Sequence, residues 1–424
     1  MAVPAVGANS TIIIHPETTW GVTPTEVMSV KVPAVSYGMK GTQALIDNPQ
    51  LSSDPNFRDP ALGKNDSAGS WSVVLDPLLA PQVFKMFTGQ LATTYAVASG
   101  THTSKLAAGA LPSYTIQRTS DFATDEYQFA KGVVAESFKI SAAVEGFLQA
   151  ELGLVGGPIT HSTTPLLSVT PTTKTITAAT NATPVVVTSA GHGLSNDTWV
   201  LVTGVLGATG ANGLWQVKSA ATDTFALGTA SVAGGDYTSG GTIHISPIDL
   251  TAGVNPFESG QLNTSGSGVV TITSAEGGST AQTIDSLMEW SMEINNNLYK
   301  DGYTIGSMDR RFLTRGKSKV SGSMKFFYDK EQLGAASTDD IYAIVTNRAT
   351  KQPCVIVLKW YIDANTYFEL TLPRVFLERT DPSLDDEGPE TLSVNYTSTY
   401  STTGALNSSV KFVIKNSYPG GAYV

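Results

Sequence analysis

Gly69-Ser70-Trp71-Ser72-Val73-Val74-Leu75-Asp76 reads against Gly322-Ser323-Met324-Lys325-Phe326-Phe327-Tyr328-Asp329, an offset of 253 (322 minus 69). Each stretch opens on Gly-Ser, runs through apolar residues and closes on Asp. A chain that repeats itself must be read as a repeat first, because overlooking one misassigns the whole fold. Trp71–Leu75 alternates less than a half-buried strand does, which suits burial on both faces.

The agreement extends outward in both directions. Upstream, Val27–Val32 corresponds to Leu287–Ile294 as a β-like run followed by a long polar loop. Downstream, Gly132–Ile140 and Gly146–Val155 correspond to Leu370–Glu378 and Pro389–Ser398, and each pair reads as an antiparallel hairpin. Residue identity is low, so the order of elements carries the argument. After Asp76-Pro77, an N-cap and N1 pair, Leu78, Leu79, Val83, Phe84 and Phe87 fall at helical spacing and Gly89 ends the run. In the second copy Thr338–Asn347 takes that place, with Asp339 and Asp340 near its start. Val410–Lys415 closes the chain as an edge or docking strand.

Composition changes abruptly between Pro165 and Pro247, where the only charged side chains are Lys174, Asp197, Lys218, Asp223 and Asp236. Short β-branched runs and tryptophans divided by glycine turns make this a small all-β module rather than a linker. The expected fold is therefore mainly all-β. Two tandem sandwich or barrel units, 1–160 and 250–424, each carry one flanking helix, and an inserted small β-domain occupies 165–247.

Charged residues make up 15% of the 424, against roughly 25% in an average globular protein, as suits a turn-rich β-protein. A net charge of −10 disfavours a surface evolved to grip phosphate backbones. The single cysteine, Cys354, lies in an apolar strand and reads as a buried structural thiol. The N-terminal residues lack the pattern of a secretory signal, and no apolar run approaches the ~20 residues of a membrane helix. Synthesis in the cytoplasm, with no membrane partner, is expected.

The five histidines are scattered singly, and His192 between two glycines reads as a turn histidine with a local hydrogen bond. Gly316-Lys317-Ser318 lacks the preceding glycine of a phosphate loop, and Asp385-Asp386-Glu387 reads as a solvated turn. No enzyme, metal or cofactor is expected.

The order of elements, with the Glu17-Thr18-Thr19-Trp20-Gly21-Val22-Thr23-Pro24 segment, the long loop, the Gly-Ser strand before the helix and the final antiparallel pair, resembles the tail tube proteins of long-tailed bacteriophages. The duplication resembles members that fuse two tube folds and form trimeric rings with pseudo-six-fold symmetry. The insertion, through Gly191-His192-Gly193-Leu194 and Asn212-Gly213-Leu214-Trp215-Gln216-Val217, resembles a small β-module recurrent in phage tail proteins. The resemblance implies a structural protein of the virion tail, stacking into a conduit for genome delivery. Its implied partners are other copies of itself, the tape measure, tail terminator and distal tail proteins, and DNA that passes without specific binding.

The two long loops differ in sign. The first carries Asp47, Asp54 and Asp59 against Arg58 and Lys64; the second carries Arg310, Arg311, Arg315, Lys317 and Lys319 against Asp309. Opposite charges on long loops suit registration between subunits, which makes Asp47, Asp54, Asp59, Arg310, Arg311, Arg315 and Lys317 the candidate assembly contacts. A second reading is a tail or baseplate adhesin that binds carbohydrate through Trp199, Trp215 or Tyr237 of the insertion.

Overall fold

A computed structural model describes residues 10–23, 28–50, 56, 59–96, 99–106, 109–122, 125–166, 170–229, 231, 233–251, 255–263, 269–273, 281–284, 286–327, 353–378, 389–402, 407–418 and 423. The fold is all-β, with a single α-helix among the described residues.

The first half runs β1 (Thr11–Pro16), β2 (Val30–Val32), β3 (Ser36–Tyr37), β4 (Lys40–Ile46), β5 (Ala61–Val74), α1 (Ala80–Thr88), β6 (Ala92–Ala96), β7 (Ser99–Lys105), β8 (Tyr114–Ser120), β9 (Glu126–Ala143), β10 (Gln149–Gly156) and β11 (Ile159–Ser162). Side by side, the order is β2, β1, β8, β9, β10, β5 and then β3 with β4, every pair antiparallel. A separate seven-stranded sheet follows: β12 (Thr172–Thr175), β13 (Ala178–Ala179), β14 (Val186–Thr188), β15 (Trp199–Thr203), β16 (Gly213–Lys218), β17 (Thr224–Leu227) and β18 (Thr242–Ile245). Val187, Val200, Val202, Val217, Phe225 and Ile243 fill its own core.

The chain returns through β19 (Ile248–Asp249), parallel to β2. It continues with β20 (Val269–Thr273), β21 (Ala281–Thr283), β22 (Leu287–Asn295), β23 (Leu298–Tyr299), β24 (Thr314–Arg315), β25 (Lys319–Phe327), β26 (Cys354–Asp363), β27 (Thr366–Leu377), β28 (Thr391–Ser398) and β29 (Lys411–Asn416). Here the order is β21, β20, β26, β27, β28, β25, β22, again antiparallel throughout. Position for position this is the order of the first half.

Three sequence expectations are corrected. The strand beside β5, standing where β22 stands beside β25, is β3–β4 and not Val27–Val32; β2 instead pairs with β1 and β19. Lys40–Ile46 is exposed along its whole length, so it lacks the apolar alternation by which a strand is recognised. The helix begins at Ala80, with Pro81 in its first turn, and Asp76 caps the turn before it by accepting from the Leu78 and Leu79 amides at 2.7 and 2.8 Å. Gly89, at φ +80°, closes it as expected, its amide bonding to Lys85 O. Finally, of the two readings of the closing strand only the edge one is corrected: β29 docks between β27 on one side and β7 of the first half on the other. The proposed helix Thr338–Asn347 and the Asp385–Glu387 turn lie outside the described residues.

The helix holds the two halves to one core. Phe84 stacks on Phe412 at 4.3 Å and packs against Phe138 and Phe368, while Phe87 stacks on Phe138 at 5.1 Å. Rings from both halves thus meet on one helix face. Each buried Phe contributes about 1.5–3 kcal/mol by leaving water. Cys354 is buried, as its apolar strand predicts.

Candidate assembly interface

The halves join where β22 adds to the free edge of β9, Glu289 opposite Ala143 through Asn295 opposite Ser137. Strands β5, β10, β9, β22, β25 and β28 thereby form one continuous sheet. A buried row crosses the junction without a break: Trp71, Leu152, Phe138, Ile294, Val320 and Ser398 are successive cross-strand neighbours. On the opposite face the corresponding row is Ser72, Glu151, Lys139, Glu293, Ser321 and Thr397. One row along, Gln149, Ser141, Ser291, Ser323 and Asn395 follow. This second face is serine-rich, and its charges alternate in sign across strands.

The loop between β22 and β25 folds back over the first half. Asn296, with no exposed surface, donates its side-chain amide to Phe87 O at the helix end and to Ala135 O, both at 3.2 Å. Its backbone amide bonds to Glu136 O at 2.8 Å. Ser318 Oγ donates to Asn296 Oδ1 and accepts from the Arg315 guanidinium, whose pKa burial draws below the usual value. Further along, Arg310 Nη1 donates to Gly156 O at 2.5 Å, Nη2 to Asp66 Oδ1 at 2.5 Å and Nε to Lys300 O at 2.8 Å. Tyr303 lies beneath the guanidinium and donates to Asn65 O, while Asn65 donates to Met308 O and Asp309 Oδ1. Lys300 pairs with Glu136 at 2.6 Å.

The sequence candidates fall into distinct environments. Arg310 is a correction: its side chain is 1% exposed and its donors are turned onto the chain's own carbonyls and Asp66, so it is an internal clasp rather than a surface charge. Arg315 is half-buried. Asp47, Asp59, Arg311 and Lys317 are exposed, and Asp54 lies outside the described residues. Trp199, Trp215 and Tyr237 are half-buried. Trp199 packs against the main core, Trp215 donates to Ala211 O and Tyr237 to Gly240 O. His192 is a buried turn histidine whose Nδ1 accepts from Leu194 N. Among the described residues no three His, Cys, Asp or Glu side chains are grouped to hold a metal, and no helix is long and apolar enough to cross a membrane.

Sequence reasoning missed Asn296, Asp66 and the outer edge of β3–β4. Asn296 was within reach, since Asn295-Asn296-Asn297 ends a strand where a buried amide finds unpaired carbonyls. Asp66 carried no such signal.

A continuous β-sheet with one buried and one polar face, held by internal clasps, defines a structural all-β protein. Residues 7–209, just under half of the chain, match the family of phage tail tube proteins. That match supports a structural role in a phage tail tube, and hence in the virion tail, rather than a catalytic one. No curated protein matches the chain.

Proposed function

We propose that the chain is the repeating subunit of the tube, that 1–160 and 250–424 are two copies of one tube unit flanking the module at 165–247, and that three chains close a ring of pseudo-six-fold symmetry. Stacked rings make the conduit through which the genome is delivered. The observation that carries this is the identical strand order of the halves, joined by β22 on β9 into one sheet. Two equivalent positions in one chain need three chains to fill six.

The serine-rich face is the conduit wall. Its charges are opposed pairwise across strands, as in Glu151, Lys139 and Glu293, and the chain as a whole carries −10. Such a wall offers DNA no cluster of cations whose counterion-releasing contacts would hold it in place. The tape measure, tail terminator and distal tail proteins are the partners at the ends, with assembly in the host cytoplasm.

Electron microscopy of the purified full chain tests the reading. Stacked rings containing three chains are expected; six chains per ring, or only isolated monomers at high concentration, would overturn it.

A further inference from the structure

We infer that the tip of the β22–β25 loop in one copy seats against the β9–β10 turn of a second copy, so that second-half loop meets first-half turn and the chains stack head to tail along their strands. This rests on the tube reading and deepens it to a named contact.

The loop and the turn stand at opposite ends of the same two strands. Through Arg310 the loop lies on the Asp66 end of β5 and the Gly156 end of β10. From there the pair runs to Val74 opposite Gln149, and the turn between Ala143 and Gln149 closes that far end.

Both ends expose large apolar side chains. On the loop Ile305 is fully exposed and Met308 and Phe312 are about half exposed; at the turn Val144 is 65% and Phe147 49% exposed. Apolar side chains gathered in this way and rimmed by charge mark an interaction surface. They protrude at one end and border a hollow at the other. The recess beneath the turn has a volume of about 440 Å³ and is lined by Ser141, Glu145, Phe147, Glu289, Ser323 and Lys325, among others. That is far more than the ~10–15 Å³ that one water needs, so the recess admits a side chain.

Charge selects the pairing. In the loop Lys300 is engaged by Glu136, Asp301 by Lys64 and Asp309 by Asn65, which leaves exposed Arg311 and Lys317 to a partner. At the other end Glu145 and Glu289 line the recess and Glu258 lies opposite Phe147; all three are exposed, and half-buried Lys325 is the one cation among the lining residues. A basic, apolar tip complements an acidic, apolar seat, whereas tip on tip or seat on seat would oppose like charges. The contact is therefore heterologous, and with tip and seat at opposite ends of the strands it continues as an open stack.

The full chain carrying Ile305→Cys and Phe147→Cys tests this, since the only other thiol is the buried Cys354. Oxidation of the assembled protein is expected to link chains into a ladder that runs past the trimer on a non-reducing gel, with neither single variant doing so. Arg311→Glu should lower the fraction that pellets as tubes by about tenfold or more with an unchanged unfolding midpoint, and Glu145→Lys with Glu289→Lys added to it should restore pelleting. If wild-type tubes form but the double-cysteine chain stays unlinked or stops at the trimer, or Arg311→Glu pellets normally, or the rescue fails, this contact is wrong while the tube reading stands. If wild-type protein forms no stacked rings, both fail.

Discussion

Two loops of equal length behave differently in this molecule. One leaves Thr42 and returns at Asp66; the other leaves Asn295 and returns at Lys319, each pair facing across adjacent strands. The first continues as an exposed hairpin arm, Leu45 opposite Leu62 and Ile46 opposite Ala61, with Leu45 and Ile46 more than half exposed. The second keeps the matching pairs, Leu298 opposite Arg315 and Tyr299 opposite Thr314, but its far end lies down on the first half and buries Arg310 against Gly156 O and Asp66. The same frame and the same hairpin arm are thus set in two environments, one exposed and one packed against the chain. The second loop buries its arginine against the first half, whereas the first loop touches the second only at its base, through Gln43, Lys64 and Asn65 among the described residues.

The strongest way to break that comparison is to remove the clasp. Arg310→Ala strips three donors from a buried site, leaving Gly156 O and Lys300 O without these partners, and should cost about 2–4 kcal/mol in urea unfolding. Arg310→Lys should recover only part of it, because an ammonium cannot reproduce the planar fork. Arg311→Ala, one residue along but exposed, should stay within about 0.5 kcal/mol. Equal losses at 310 and 311 would mean that the loop is held by something other than this guanidinium.

A finer test compares the twin glycines. A Cβ at Gly69 would sit 2.5 Å from Gly38 O and from Met39 Cα; at Gly322 it would meet Ser291 O more closely still, and the Tyr396 ring at 2.5 Å. Neither position demands a left-handed backbone, so close approach of the neighbouring strand is what requires glycine. Overpacking of this kind costs about 1–3 kcal/mol. Gly322→Ala should lie at the upper end, since β22 is held between two strands, and Gly69→Ala lower, since β3–β4 has room to move outward. Thermal unfolding of the two variants decides it; a costlier Gly69→Ala would sink the idea that the β3–β4 edge is open.

The same glycines explain how much the sequence revealed. A steric necessity repeated at both sites leaves a mark in the chain, and the Gly-Ser opening pointed to the recurring strand. The burial on both faces expected of Trp71–Leu75 is corrected: Trp71, Val73 and Leu75 are buried, while Ser72 and Val74 are half-buried on the other face. The edge strand β4 left no mark, because a strand with no buried face has no apolar alternation to read. Arg310 was misread for a related reason: charge alone does not say whether a carbonyl and a carboxylate wait for it, and these come from 154 and 244 residues away. The conduit face was invisible in the same way, since serine on a strand says little until register lines it up across six strands.

The smallest expected effect lies at the exit of the first repeated strand and is read by pH. Asp76 caps the turn before α1, and burial pushes its carboxyl up to about 6 from an ordinary 3.8, against the opposing pull of the Leu78 and Leu79 amides. A pKa raised on folding means that the native state holds the proton more tightly than the unfolded chain does. The stabilisation this brings is therefore present below about pH 4 and is lost as pH rises through about 6. Asp76→Asn keeps an acceptor for the two amides without a charge to desolvate. Relative to wild type, its stability should improve between pH 4 and pH 8 by on the order of 1–2 kcal/mol, read from urea midpoints at each pH. A difference that stays flat across that range would show that the carboxylate is not paying a desolvation cost, and that hydrogen bonding alone sets the start of the helix.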